Sequence, residues 1–284
     1  VQVDTGEQLK SKTSLSDIYK VTLTFYDRYS DALRQSATPD RIDVIKRNRS
    51  LAYLKTKQFD AVLPDTKFPN FGSNPPEKAL FRAAEALYFL GRFKESIGVL
   101  EKLHTSFPEN QQALTVLERA QKRHIEESTG VYDFKLLQRE AKKLRPPHLD
   151  HATYIGAIEI RKSAAKGRGL FVTRAVKAGD LLLCEKAFTY AYAPESGDAK
   201  SNMTLLLNIE TEQGFMGGQA HLVRITAQKL YCNPSVAPAF TALHHGTYKP
   251  ASALSVDGKP IVDTWVAESQ CTICKAYQRL LTAS

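Results

Sequence analysis

Cysteine is scarce in this sequence. Only Cys184, Cys232, Cys271 and Cys274 occur in 284 residues, too few for a disulfide framework, which implies a reducing, intracellular setting and leaves nucleus or cytoplasm open. No apolar run reaches membrane-spanning length, and the first residues show no charged-then-apolar leader, so neither a membrane anchor nor a signal segment is expected. The chain opens on Val1 rather than methionine, and the native start is expected to lie elsewhere. A contiguous basic stripe is also missing. The net charge is +9, yet Arg119, Lys122 and Arg123 stand among Glu118, Glu126 and Glu127. Such mixing describes a solvated face rather than a nucleic-acid footprint. With 43% hydrophobic and 24% charged residues, the composition is that of a globular protein long enough for two domains.

What is present begins with self-similarity. The stretch from Tyr53 to Asp60 aligns with that from Leu87 to Lys94 at an offset of 34 residues, a period shared with helical repeat arrays. In the second copy Leu80, Ala83, Ala84 and Leu87 fall on one helical face, Gly91 permits a tight turn, and Phe93, Ile97, Leu100 and Leu103 line the next helix before Pro108. The first copy is weaker, because Pro64 interrupts its second helix and Pro64 to Pro76 reads as a loop. A third helix is expected over about 109–127, carrying Leu114, Leu117 and Ile125, and one more upstream on Val21, Phe25, Tyr29 and Leu33. Phe134, Leu137, Ala141 and Leu144 predict a short helix that Pro146 and Pro147 stop. These residues resemble tetratricopeptide (TPR) repeats. That resemblance implies a concave surface for a protein or peptide ligand, while an ordinary helical hairpin without a ligand fits the same pattern.

After the prolines the sequence turns to strand character. Tyr154 to Ile160 alternates apolar residues, Gly169 to Thr173 reads as a second strand and Asp180 to Glu185 as a third, with Gly167 and Gly169 flanking Arg168 on the turn between. Lys166-Gly167-Arg168-Gly169-Leu170-Phe171, followed by Lys177-Ala178-Gly179-Asp180, resembles the opening of a SET domain, the fold of S-adenosylmethionine-dependent protein-lysine methyltransferases. The resemblance implies that Lys166, Gly167, Arg168 and Gly169 give main-chain contacts to the methionine end of that cofactor, and that a lysine-bearing protein is the substrate. The order of parts is similar to TPR-and-SET proteins of the kind found in fungi.

Past Pro194 the spacing of Met203, Leu206 and Ile209, then Leu222, Ile225 and Leu230, predicts a helical insertion broken by Gly214, Gly217 and Gly218, with Asn233-Pro234 ending it. His244 and His245 carry no metal reading, since adjacent residues diverge on strand or helix alike. Cys271-x-x-Cys274 is half of a zinc site without a second pair, so incidental cysteines fit it better, and no metal is assigned. Val256 to Lys259 reads as a turn.

The resemblance also marks what the sequence lacks. SET enzymes grip the cofactor with an Asn-His segment and face the amine with a late tyrosine. No Asn-His pair follows Phe171, and Tyr277 and Trp265 sit in unmatched surroundings. The fold class expected is α+β. N-terminal α-helical TPR-like repeats (1–145, clearest over 42–108) precede a mainly β, incomplete SET domain with a helical insertion (150–264), then an anomalous tail (265–284). A shifted reading frame, an unspliced intron or a truncation would each produce that tail. Two functions stand open: a SET-type protein-lysine methyltransferase, expected to be inactive in this form and to carry no catalytic residue, or a non-catalytic peptide-binding scaffold. Residues 150–284 are expected to be less ordered than the helical half, because unpaired strands expose edges and apolar surface.

Overall fold

One helix ending is used twice, 34 residues apart. The structure is a computed structural model that describes residues 29, 31–34, 38–144, 147–164, 167–192, 205–208 and 213–243. Helix α1 (Pro39–Lys55) ends with Lys57 at φ +59°, where Lys57 N donates to Leu54 O and Gln58 N to Tyr53 O. Helix α3 (Glu77–Phe89) ends with Gly91 at φ +77°, where Gly91 N donates to Tyr88 O and Arg92 N to Leu87 O. Both are Schellman motifs, which satisfy the last helical carbonyls by passing one residue through left-handed backbone. The partner helices then start at equivalent residues, α2 (Phe59–Asp65) and α4 (Phe93–Ser106). Helix α2 stops after two turns at Pro64 and Asp65 with a third such ending at Lys67, φ +64°. Helix α5 (Gln111–Thr129) follows.

Contacts divide the chain into two units, Val1–Leu117 with Cys232–Pro238, and Glu118–Tyr231 with Ala239–Ser284. The first unit has a dense core. Leu80, Ala83, Ala84, Ala86, Leu87, Leu100, Leu103 and Val62 are fully buried. Alanines at 83 and 84 let α3 and α4 approach closely enough for Ser96 Oγ, itself buried, to donate to Ala84 O at 2.8 Å. On α4 the buried positions are Phe93, Ser96, Val99, Leu100 and Leu103, with Ile97 only half-buried. Between α1 and α2, Arg49 clasps buried Asp65 with two bonds of 2.7 Å. That fork satisfies both oxygens of a carboxylate removed from water.

The inward face of α5 differs from the expected one. Ala113, Val116 and Ala120 are buried while Leu114 and Leu117 are half-buried and Ile125 is exposed. Ala113, Val116 and Ala120 share one helical face at i, i+3 and i+7, and the larger apolar set is left outside it. Of the upstream helix, Tyr29 and residues 31–34 are helical, whereas Val21 and Phe25 lie outside the described residues.

In the second unit, Asp133 accepts from Leu136 N at 2.9 Å and opens α6 (Phe134–Lys143). The helix forms as expected but buries no residue, so Phe134 and Leu144 stay exposed. Among the described residues six short strands follow: β1 (Tyr154–Ile155), β2 (Ile158–Ser163), β3 (Gly167–Val172), β4 (Leu183–Cys184), β5 (Leu205–Asn208) and β6 (Gln213–Met216). They make three separate two-stranded antiparallel sheets, β1–β4, β2–β3 and β5–β6. Helices α7 (Gly217–Cys232) and α8 (Ala237–Thr241) close the described chain, joined by a 3-10 turn over Pro234–Val236.

The structure is thus mixed helical with a few small antiparallel strands, and it corrects three local expectations. The single strand over 154–160 is broken at Gly156 and Ala157, because Tyr154 and Ile155 pair with β4 while Ile158 onward pairs with β3. Of the strand expected over 180–185 only Leu183 and Cys184 are strand, with Asp180 held in the turn by its bond to Lys177 O. Around Leu206 the chain forms the β5–β6 hairpin rather than the first half of a helical insertion, and only Gly217 onward is helical. Leu205-Leu206-Leu207 satisfies either pattern, and cross-strand pairing decided between them. Met203 and Ile209 lie outside the described residues.

Candidate functional site

The β2–β3 hairpin carries the motif that the sequence singles out. Its register runs Ile158↔Val172, Glu159↔Phe171, Ile160↔Leu170, Arg161↔Gly169, Lys162↔Arg168 and Ser163↔Gly167. Gly167, Arg168 and Gly169 therefore sit within the ladder rather than on the turn between the strands. Lys166 lies outside the described residues. Gly167 adopts φ +75°, and a β-carbon built there would meet nothing within 4 Å. One at Gly169 would come within 3.1 Å of the Phe171 ring. That ring is covered by the Arg161 guanidinium, 4.6 Å from its centroid, and Arg161 Nε also meets Glu159 at 2.8 Å.

Two features make this backbone accessible. Among the described residues β3 pairs only with β2, so its outer edge keeps unpaired main-chain groups. Gly167 and Arg168 are also exposed. Lys162 and Arg168 stand opposite each other across the ladder. Like charges so placed repel, and they give this end of the hairpin a positive field.

A turn lies downstream. Lys177 N donates to Asp180 Oδ2 at 2.8 Å and Asp180 N to Lys177 O at 3.1 Å, with Gly179 at φ +95°. Beside it is a cavity of about 380 Å³ whose lining includes Thr129, Gly130, Tyr154, Arg174, Asp180 and Leu182. Gly130 is required there, since a β-carbon would stand 2.5 Å from Tyr154 Cε1. None of Gly167, Arg168 and Gly169 lines this cavity. The structure keeps the turn and the glycine strand as two distinct features.

Over 240 residues, 84% of its length, the chain is 39% identical to a protein of Gibberella zeae named Methyltransferase. The chain is similar to a methyltransferase. It spans 33% of that relative's length. No family model matches the sequence, and no solved structure matches it.

Several polar arrangements carried no sequence signal strong enough to single them out. Glu126 is buried and accepts from Ala152 N at 3.0 Å and Arg123 at 3.1 Å, and lies 2.8 Å from His151 Nδ1. His151 Nε2 lies 3.0 Å from Glu140. The imidazole thus bridges α5 and α6. Nearby, Tyr132 donates to Ala152 O at 2.9 Å. Burial, followed by Cys184 and Glu126, pushes its phenol up to about 12. Lys229 on α7 donates to Phe188 O at 2.7 Å and stands 4.0 Å over the Phe188 ring, and burial lowers its pKa.

Among the described residues no cluster of His, Cys, Asp and Glu could hold a metal, and no helix is long and apolar enough to cross a membrane. Cys184 and Cys232 are unbridged. His244, His245, Val256 to Lys259, Trp265, Cys271, Cys274 and Tyr277 lie outside the described residues.

Proposed function

We propose that this chain is a SET-type S-adenosylmethionine-dependent protein-lysine methyltransferase in lineage, with the cofactor's methionine end held along Lys166, Gly167, Arg168 and Gly169. The single observation that carries the reading is β3. It combines a glycine-bearing outer edge without a strand partner among the described residues, a β-carbon-free approach at Gly167, and a basic end suited to a carboxylate. The similarity to a protein named Methyltransferase supports it. When bound, the cofactor supplies a methyl group on a sulfonium. The residues of this chain would contribute main-chain hydrogen bonds and a positive field, orienting the amino-acid end.

The same reading places methyl transfer outside what these residues do alone. A lysine amine must lose its proton, from a pKa of about 10.4, and meet the methyl in a dry, oriented channel. The sequence holds no Asn-His pair after Phe171 and no tyrosine in a matching setting. Ile160, Leu170 and Val172 are exposed on the hairpin, and a lone two-stranded ribbon is at best marginally stable. Further strands are expected to cover it in the working enzyme. The substrate class is a lysine-bearing protein.

Equilibrium dialysis of labelled S-adenosylmethionine against the chain tests the cofactor reading. Saturable binding that falls at least about tenfold in Gly167→Ala and Gly169→Val, with circular dichroism unchanged, is the expected result. Absence of binding, or indifference to both substitutions, sinks it.

A second reading has its own observation. The duplicated helix ending at Lys57 and Gly91, on the densest core of the molecule, supports a TPR-like scaffold that binds an extended peptide. A peptide ligand lost on mutating exposed residues of 78–104, in a chain that binds no cofactor, would favour it. Nucleic acid is the weakest partner, since pairs such as Arg92–Glu95 neutralise basic groups on the surface.

A further inference from the structure

Three aromatic rings from two stretches of chain meet on the surface of the second unit. The centroids of His148 and Tyr190 are 4.4 Å apart with planes at 46°. Those of His148 and Tyr192 are 5.5 Å apart at 85°, and those of Tyr190 and Tyr192 are 5.7 Å apart at 57°. All three residues are exposed, Tyr190 to 36% and Tyr192 to 44%. The Tyr192 hydroxyl donates to Pro147 O at 3.3 Å, which fixes that ring relative to His148. Asp150, also exposed, lies near enough to raise the Tyr190 phenol, after burial and Tyr192.

Aromatic faces are negative, and a cation within about 6 Å of a ring centroid is attracted to them. No side of the triangle of centroids exceeds 5.7 Å. A cation standing over it can lie within about 6 Å of all three centroids. Asp150, an exposed acid whose charge the Tyr190 phenol senses, adds negative charge on this side of the unit. An apolar partner would use the rings but gain nothing from that charge, and a bare ammonium would lose hydration that rings cannot replace. A methylated ammonium suits both, because its charge is spread over methyl groups that are cheap to desolvate.

We propose that His148, Tyr190 and Tyr192 form a recognition site for a methylated ammonium group, the head of a methylated lysine side chain. The site stands on the geometry of the rings and is independent of the cofactor reading.

Calorimetric titration of the full chain with N-acetyl-trimethyllysine amide, set against its uncharged tert-butyl carbon isostere, tests it. The charged probe is expected to bind about tenfold more tightly than the isostere, with tetramethylammonium competing. Tyr192→Ala is expected to lose that binding and Tyr192→Phe to keep it. Tyr190→Leu, which keeps bulk and removes the π-face, separates lost recognition from lost packing. Equal binding of the isostere, no saturable binding of either probe, or full binding by Tyr190→Leu would overturn the site.

Discussion

Asn233 caps a helix that begins 174 residues before it in the chain. Its Oδ1 accepts from Phe59 N at 2.7 Å and Asp60 N at 3.3 Å, and its Nδ2 donates to Lys57 O at 2.9 Å. The local N-cap of α2, Gln58, makes no side-chain cap bond. Ser235 adds two bonds of 2.7 Å to Asp60, so the short Cys232–Pro238 segment is bound into the first unit. Asn233 is 3% exposed, and water cannot take its place.

Replacing Asn233 removes the cap acceptor and the donor to Lys57 O together. Asn233→Ala is expected to destabilise the protein by about 1–2 kcal/mol in urea unfolding. Asn233→Asp keeps the acceptor but turns a carboxylate toward Lys57 O, and is expected to be no better than alanine. An aspartate variant as stable as wild type would show that the Nδ2 bond contributes nothing.

Lys57 and Gly91 occupy equivalent left-handed positions with different chemistry. A side chain in that region costs about 1–2 kcal/mol. Lys57→Gly is expected to raise stability by about 1 kcal/mol, and Gly91→Ala to lower it by a similar amount, because open space around Gly91 leaves only the backbone cost. Differential scanning calorimetry of both variants checks the pair. Matching signs would mean that the two helix ends are not equivalent.

The helical half was legible because its signals are local. Leu80, Ala83, Ala84 and Leu87 repeat at helical spacing and all four are fully buried, and the offset of 34 residues reappears as two equal helix endings. The inward face of α5 was not legible, since Ile125 and Ala120 differ only in what happens to pack against them. The candidate site was half legible. Gly167 and Gly169 named their hairpin, but whether they lie in the turn or in the ladder is fixed by the register with Arg161 and Ser163, and a period of two reads equally well one residue away. Glu126 with His151, and His148 with the two tyrosines, join residues with no shared motif, so only tertiary placement reveals them.

Tyr132 predicts a pH dependence. Its folded pKa, about 12, lies above the usual 10. The folded state thus keeps a proton that the unfolded chain releases, and the associated stability is fully present below pH 10 and is lost as pH rises toward 12. Urea midpoints measured across that window are expected to fall more steeply for wild type than for Tyr132→Phe. Parallel slopes would mean that the phenol is not held in its half-buried, hydrogen-bonded place.

Lys162 and Arg168 face each other across β2 and β3, and a structural role for Arg168 predicts something different from a cofactor role. Arg168→Glu turns a repelling pair into an attracting one, worth about 0.2–1 kcal/mol. If the hairpin is merely a hairpin, that substitution stabilises it and changes nothing else. If the basic end receives the carboxylate of S-adenosylmethionine, the same variant gains stability and loses cofactor binding together. Thermal unfolding and equilibrium dialysis on one preparation separate the two. A more stable variant that binds cofactor as wild type does would remove Arg168 from the site and leave only the glycine backbone to hold it.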